Sequence, residues 1–472
     1  KDQGSCGSCW TFATFASMES NLLPVESRDF SENNMKNLHG FDPGYNDGGN
    51  YTMATAYLTR WGGPVNESDD PYNPSSGYSP TGLTVQKHIQ EVQFIPNRTG
   101  PTDNDTIKQT LISYGALGTS MYWNAAYYND ANRTYYFSGS ATSNHAVTIV
   151  GWNDNFDRNL FSPVPSGNGA FIVKNSWGSD WGDNGYFYIS YYDANIGLYN
   201  GLFRNAESIS NHQRIYQYDP LGCCNTAGFS STSAWMANIF TAASNDKLTA
   251  FGFYTPAQNA TYQLSGTLAG TQSGSISTAG FHTILLNTPI QLTPSQKFSI
   301  VIQITTPNWN YPVAYEYPIT GYSSAATAGA GESYISSNGT NWTDLTTWTA
   351  NANVCIKAYA QYSPNAYWEF INGSLNDTSG NGNNGAAYGT PSLVSGMHNQ
   401  ALSFNGSNYI QIPTSDTVNF GAGNFSIACW FKTTSTKSIN TILEKRDSSY
   451  VGYCVCLLQG RVLLQIGDAA GY

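Results

Sequence analysis

The stretch Gln3-Gly4-Ser5-Cys6-Gly7-Ser8-Cys9-Trp10 puts a cysteine, Cys9, at the head of an apolar run from Thr11 to Leu23 that Pro24 closes. Phe12, Ala13, Phe15, Ala16, Met18, Leu22 and Leu23 leave that run little polar face. The pattern predicts a buried helix of about three to four turns. In the first turn of a helix the unpaired N–H groups and the dipole favour negative charge, so a thiolate is stabilised there, and the thiolate is the nucleophile. Gly4 and Gly7 let the backbone approach a substrate closely. Gln3 can offer a side-chain N–H beside Cys9, where an oxyanion would form. The chemistry such a set supports is attack of sulfur on a carbonyl.

Cys6-Gly7-Ser8-Cys9-Trp10 resembles the signature of papain-like cysteine peptidases. Asn144-His145-Ala146-Val147 and Asn175-Ser176-Trp177-Gly178 follow in that family's order, and the resemblance covers residues 1 to 205. It implies a two-lobed α+β fold with Cys9 on a helical lobe, His145 and Asn175 on a β lobe, and a cleft between them. By the same resemblance His145 exchanges the proton and Asn175 orients it. Gln3 and the Cys9 backbone N–H hold the oxyanion, and Trp177 shields the Asn175–His145 bond. The turn Gly44-Tyr45-Asn46-Asp47-Gly48-Gly49 resembles the family's glycine-rich turn, with Gly48 and Gly49 binding an extended substrate backbone. Asn144 and Trp181 are the remaining substrate-binding candidates, Trp181 on the leaving-group side. Ser31 resembles a helix N-cap, and Asp70-Pro71-Tyr72 matches a further landmark. Strands are expected at Ala146–Val150, Ala170–Lys174 and Gly185–Ser190. No cofactor and no metal are implied.

Two departures from the family pattern stand out. The family usually pairs the cysteine at the Cys6 position with one in the glycine-rich turn, but Tyr45 stands there, and no cysteine lies between Cys9 and Cys223. Cys6 is therefore expected to be a buried neutral thiol. Cys9, flanked by a helix terminus and an imidazolium, is expected well below the free-cysteine value of about 8.5. The segment Asn153 to Gly169 is longer than the family's usual turn. It is expected as a surface loop near the leaving-group side, able to narrow the cleft.

The whole chain of 472 residues is too long for one core. Charged residues make up 11%, against about 25% in ordinary globular domains. The 14% aromatic content argues for folded β domains with polar surfaces rather than disorder. A net charge of −11 without a Lys/Arg cluster excludes a nucleic-acid partner. No apolar run approaches the ~20 residues of a spanning helix. Sequons such as Asn97, Asn132, Asn341 and Asn372 are candidate glycosylation sites. Cys223 and Cys224 are adjacent and not expected to bond each other, and Cys355, Cys429, Cys454 and Cys456 read as core residues of strands.

Short β runs begin near Tyr216, the clearest at Ala237–Phe240, Leu248–Tyr254, Lys297–Ile304 and Asn353–Tyr359, and their spacing suggests a sandwich. With Tyr218–Gly222 and Gly331–Ser336, they resemble the lectin-like domain that follows papain-like peptidases in prokaryotic surface proteins. Tyr367–Phe370, Asp377–Gly385, Ala401–Gly406 and Phe425–Phe431 resemble a laminin-G-like, concanavalin-type jelly roll. The expected organisation is multidomain: peptidase at 1–205, cut at its N-terminus; lectin-like sandwich at 206–362; and laminin-G-like domain at 363–472, cut at its C-terminus. The two sandwiches are expected as independent modules behind the peptidase. The function implied is a secreted or surface prokaryotic cysteine endopeptidase acting on proteins or peptides, with cell-surface glycans as partners of the C-terminal domains. The alternatives are an adhesin with an inactive peptidase domain, and an exopeptidase or transpeptidase with one end of the cleft blocked by Asn153–Gly169.

Overall fold

The computed structural model describes residues 1–23, 25–266, 271–397, 400–421 and 425–468, so Pro24 lies outside it. The chain divides into two compact units, Lys1–Ser363 and Pro364–Tyr472.

The first unit opens with helices α1 (Cys9–Leu22), α2 (Glu32–Leu38), α3 (Tyr51–Thr59) and α4 (Asp105–Tyr114). Helix α1 begins at Cys9, and Trp10, Phe12, Ala13, Phe15, Met18 and Leu22 are all buried along it. Ser31 caps α2 by accepting from the Asn34 N–H, and Asn50 caps α3 by accepting from the Met53 N–H. The strands of this half are β1 (Lys87–Ile95), β2 (Leu117–Met121), β3 (Tyr128–Asn129), β4 (Thr134–Tyr135), β5 (His145–Asn153), β6 (Ala170–Lys174), β7 (Tyr186–Ser190) and β8 (Leu198–Ser208). The sandwich half adds β9 (Arg214–Tyr216), β10 (Asn225–Ala227), β11 (Ser233–Thr241), β12 (Asp246–Thr255), β13 (Ala260–Ser265), β14 (Gln272–Ile276), β15 (Ala279–Gln291), β16 (Lys297–Thr305), β17 (Val313–Glu316), β18 (Ser333–Ser336), β19 (Thr343–Asp344), β20 (Asn353–Val354) and β21 (Ile356–Tyr362). The strands expected from sequence are all present in this unit. The run Asn353–Tyr359 is broken at Cys355, whose N–H donates instead to the Ala314 carbonyl.

No linker separates the two halves. One sheet runs β3-β4-β7-β6-β5-β2-β8-β1-β15-β12-β21-β9, and its seam is the antiparallel pairing of β1 with β15, Glu91 opposite His282 and Phe94 opposite Ala279. At the seam an ideal Cβ on Gly280 would stand 1.9 Å from the Val92 carbonyl oxygen, so only glycine fits. One hydrophobic core spans both halves, joining Trp10, Phe15, Tyr51, Tyr57 and Phe203 to Leu221, Tyr254, Phe281, Cys355 and Tyr359. Trp61 of the helical lobe stacks on His88 at 3.8 Å and on Tyr359 at 5.7 Å. Asp42 accepts from Ser324 Oγ at 2.6 Å, and Arg60 donates to the Pro220 carbonyl at 2.9 Å. The sandwich and the peptidase half therefore share a core. A second core fills the sandwich between β12 and β21 and the sheet β14-β13-β16-β11-β18-β19. A third fills the β lobe.

The second unit consists of hairpins: Ala386–Tyr388 with Tyr409–Gln411, Ser392–Ser395 with Gln400–Ser403, and a three-stranded sheet of Ile439–Arg446, Gly452–Leu458 and Arg461–Gly467. The segment Phe425–Phe431 carries no strand, and Cys429 within it is exposed rather than core. Cys355, Cys454 and Cys456 are buried as expected, and all eight cysteines are free. Among the described residues no helix is long and apolar enough to cross a membrane.

Truncation tests the shared core. Residues 1–363 are expected to fold and unfold in one calorimetric transition, whereas residues 1–205 lose the faces of Tyr254, Phe281 and Tyr359 and should aggregate or bind hydrophobic dyes. Within residues 1–363, Phe281→Ala should lower stability by about 3–5 kcal/mol.

Candidate active site

Each candidate residue sits where an element begins or ends. Cys9 occupies the first turn of α1, half-buried, and the Ala146 N–H donates to its Sγ at 3.4 Å. His145 opens β5, and Asn175 follows β6, the strand paired antiparallel to β5. The hairpin thus returns the chain to the level of His145. The His145 Nε2 lies 2.8 Å from Asn175 Oδ1, with both residues more than nine-tenths buried. The Ser176 N–H also donates to that Oδ1 at 2.9 Å, which fixes the amide with its oxygen toward the imidazole. Nε2 is then the protonated nitrogen, and Nδ1 keeps its lone pair for the sulfur. Trp177 stacks on the imidazole at 4.8 Å and 18°, covering the Asn175–His145 bond as expected. Asn175 Nδ2 has no partner among the described residues. Asn175 lines a cavity of about 20 Å³, together with Lys1, Glu19 and Glu32. That is room for one water.

Gln3 is 7% exposed and held from three sides. Its N–H donates to the Ser176 carbonyl at 2.7 Å, Ser176 Oγ donates to its Oε1, and its Nε2 donates to the Cys6 carbonyl at 2.8 Å. One Nε2 hydrogen is used there, and a carboxamide has a second to give an oxyanion. Gln3 and Asn175 are thereby locked through the same residue, Ser176.

The electrostatics differ from the expectation of a strongly acidic Cys9. Burial pushes the Cys9 thiol above its ordinary value, although the backbone N–H groups of Ala146, Trp10 and Cys9 act the other way. Burial likewise pulls the His145 imidazole down to about 4, against the smaller opposing effect of Asn175. Each shift disfavours a lone charge.

The glycine-rich turn lies against the nucleophile segment. An ideal Cβ on Gly49 would stand 2.3 Å from the Trp10 indole, and Gly48 has φ +87°. Asn46 Oδ1 accepts from the Gly7 N–H at 2.7 Å. Cys6 is buried and unpaired, and its thiol donates to the Tyr45 carbonyl at 3.4 Å. The Tyr45 ring takes the Lys36 ammonium at 4.8 Å and packs on Gly77. A cation–π contact thus holds the turn where the family uses a disulfide. Tyr322 of the sandwich half reaches Asn50 at 3.4 Å, next to this turn.

The Asn144 side chain accepts from the Trp123 N–H at 2.6 Å and donates to the Trp123 carbonyl at 3.1 Å, so that side chain holds the Trp123 loop. The segment Asn153–Gly169 joins the far ends of β5 and β6, where Asn153 pairs with Ala170. That end lies roughly 26 Å along the strand from His145 at ~3.3 Å per residue. There the Leu160 carbonyl accepts from Asn129, Asn132 and Thr134, and Phe161 is buried. The root of the loop is thus remote from His145, while its Leu160 turn packs beside β3 and β4, whose Tyr128 stacks on Trp181 at 5.0 Å. Trp181 packs edge-on against Trp177, at 5.0 Å and 88°. Trp123, which sequence reading passed over, packs edge-on against Trp177 at 4.7 Å and Trp181 at 5.8 Å. Its only sequence signal is the aromatic run Tyr122-Trp123 and Tyr127-Tyr128.

Residues 1–204 match the family model described as papain family cysteine protease, and residues 215–360 the model described as lectin like domain. The chain carries a papain-family cysteine protease domain followed by a lectin-like domain. Among curated relatives of the protease domain, the viral cathepsin of Epiphyas postvittana nucleopolyhedrovirus is 31% identical over 209 residues, 44% of this chain and 60% of that protein. The oryzain gamma chain of Oryza sativa subsp. japonica is 31% identical over 197 residues, 40% of this chain and 50% of that protein. The chain thus spans 50–60% of the length of these two relatives. Among solved structures, the clostridial cysteine protease Cwp84 after propeptide cleavage has a TM-score of 0.68 and 29% identity, covering 77% of this chain and 96% of that one. The protease and lectin-like domains of Cwp84, described as a surface layer associated protein of Clostridium difficile, give a TM-score of 0.66 at 29% identity, covering 77% and 86%. Residues 372–472, which by sequence resemble a laminin-G-like jelly roll, match the model described as Clostridium neurotoxin, N-terminal receptor binding.

The protease-domain geometry makes Asn175 a positioning residue. Asn175→Ala should lower kcat about 10- to 100-fold with little change in KM, because a freely rotating imidazole loses its aim at Cys9. Asn175→Gln or →Asp should recover part of the loss in the same steady-state assay.

Proposed function

We propose that the chain is a cysteine endopeptidase that hydrolyses peptide bonds with Cys9, His145, Asn175 and Gln3. The observation that carries this reading is the orientation of His145: Nε2 is committed to Asn175 Oδ1, whose own direction the Ser176 N–H fixes. Nδ1 is left as a base for Cys9. As Sγ attacks the substrate carbonyl, its proton passes to Nδ1 and the S–C bond forms. The two opposite charges arise together, so each offsets the burial that forbids the other alone. Gln3 Nε2 and the Cys9 N–H receive the oxyanion. Collapse breaks the C–N bond, and the amine leaves with the proton from His145. Water then attacks the thioester while His145 takes its proton, and the acid departs from a restored thiol. The substrate backbone lies along Gly48 and Gly49, with Trp181 beside the leaving group.

An inactive adhesin is disfavoured because all four positions are filled, with His145 bonded to Asn175 and Gln3 tied to Asn175 through Ser176. In keeping with the resemblance to Cwp84, we place the enzyme at a bacterial surface or outside the cell, with surface saccharides as partners of the lectin-like domain.

Cleavage of a denatured protein should yield internal cuts by mass spectrometry, and Cys9→Ala should abolish them; trimmed ends alone would point to an exopeptidase. The pH profile of kcat/KM should carry an acid limb near 4. The sign follows from His145: above about 4 the imidazole is neutral and accepts the Cys9 proton, and below it the base is lost.

A further inference from the structure

The outer face of the sandwich sheet carries a groove of about 350 Å³, lined by Trp235, Gln263, Ser265, Thr271, Gln272 and Gln303 among others. We propose that this groove binds a neutral saccharide, with Trp235 as the stacking platform and Gln263 and Gln303 as the hydroxyl-binding groups. The proposal rests on the carbohydrate reading of the lectin-like domain and gives it a site.

The strand register builds the row. Gln263 on β13 stands opposite Gln303 on β16, and Gln303 stands opposite Trp235 on β11. Their neighbours Leu264, Ile302, Ile304, Ala234 and Met236 all point into the core, so the row points outward. Ordinary outward positions on such a sheet are polar and disconnected. This row places a half-buried indole beside two carboxamides on successive strands. From Gln263 to Trp235 it spans roughly 10 Å, the length of a disaccharide.

The indole is held in place. Gly339, in the turn after β18, has φ +74°, and an ideal Cβ there would stand 2.8 Å from Trp235 Nε1. Ser336 Oγ accepts from the Gly339 and Asn338 N–H groups, which fixes that turn as one wall. The opposite wall is braced by Gln272, which donates to the Leu285 carbonyl and accepts from the Asn287 N–H, each at 2.9 Å. The Gln263 and Gln303 side chains, by contrast, have no hydrogen-bond partner among the described residues. Each presents a donor and an acceptor side by side, the pattern that adjacent sugar hydroxyls match.

The chemistry selects among ligands. Among the described residues no ionisable side chain lines the groove, so these residues offer nothing to pair with a carboxylate, phosphate or ammonium. The three strands are interior to their sheet, paired on both sides, so an extended peptide cannot add as a strand. A pyranose gives an apolar C–H face to the indole and equatorial hydroxyls to the amides.

Isothermal titration calorimetry of the full chain tests this with chitohexaose, cellohexaose and maltohexaose as probes, and polygalacturonate as the charged control. At least one neutral hexasaccharide should bind, and Trp235→Ala should weaken it at least about tenfold. Gln263→Leu and Gln303→Leu, exposed changes that leave the core intact, should each weaken it several-fold. Peptide cleavage by these variants should stay at the parent level, confirming the fold. Saccharide binding that survives all three substitutions would overturn the site while leaving the carbohydrate reading standing. No binding to any neutral probe would overturn both, as would preference for polygalacturonate or for reduced casein peptides in a Trp235-dependent manner.

Discussion

The pairing of β1 with β15 is the constraint on which the first unit depends. It carries one sheet from the β lobe that holds His145 and Asn175 into the sandwich, and the core beneath it buries Trp10 and Phe281 in the same cluster. Interior packing is dense and transmits displacement. The position of α1, and hence of Cys9, is thus set partly by residues from the lectin-like domain. The bond between Tyr322 and Asn50 extends that influence to the substrate turn. A domain whose name suggests an accessory is here a wall of the catalytic fold.

Within that frame the site is assembled by shared partners. Ser176 binds Gln3 with its side chain and carbonyl and directs Asn175 with its N–H, so Gln3 and Asn175 are held as one body. Such sharing gives the precision that proximity and electrostatic preorganisation both demand. Trp177 stacks on the His145 imidazole and is itself packed by Trp123 and Trp181, which adds apolar surface beside the Asn175–His145 bond without adding a charge.

What was legible in the sequence is what local pattern encodes. Cys9 at a helix start, the Ser31 cap, the strands bearing His145 and Asn175, and the lone Cys6 all follow from residue type and short-range order. The missing pieces depend on distance. The register of β1 on β15 joins segments far apart in the chain, and neither strand carries a mark of its partner. Asn144 looked available because Trp123, which claims its amide, lies outside its motif. The root of the segment Asn153–Gly169, at the far end of a nine-residue strand from His145, was not legible from the length of the segment alone. The Cys9 shift arises from burial by β5 and the opposite lobe, which no motif states.

The replacement of a disulfide by Tyr45 and Lys36 changes the unfolded chain more than the folded one. A bridge from Cys6 to position 45 would restrict the denatured ensemble by about 4 kcal/mol through loop closure. A cation–π contact acts only once the turn is formed and is worth about 1 kcal/mol. The chain therefore collapses without a covalent tether on its glycine-rich turn, and no oxidant or isomerase sets the pace of that step. In exchange, the order of assembly falls to the hydrophobic core, where α1, Trp10 and the sandwich strands must meet before the turn has anything to rest on.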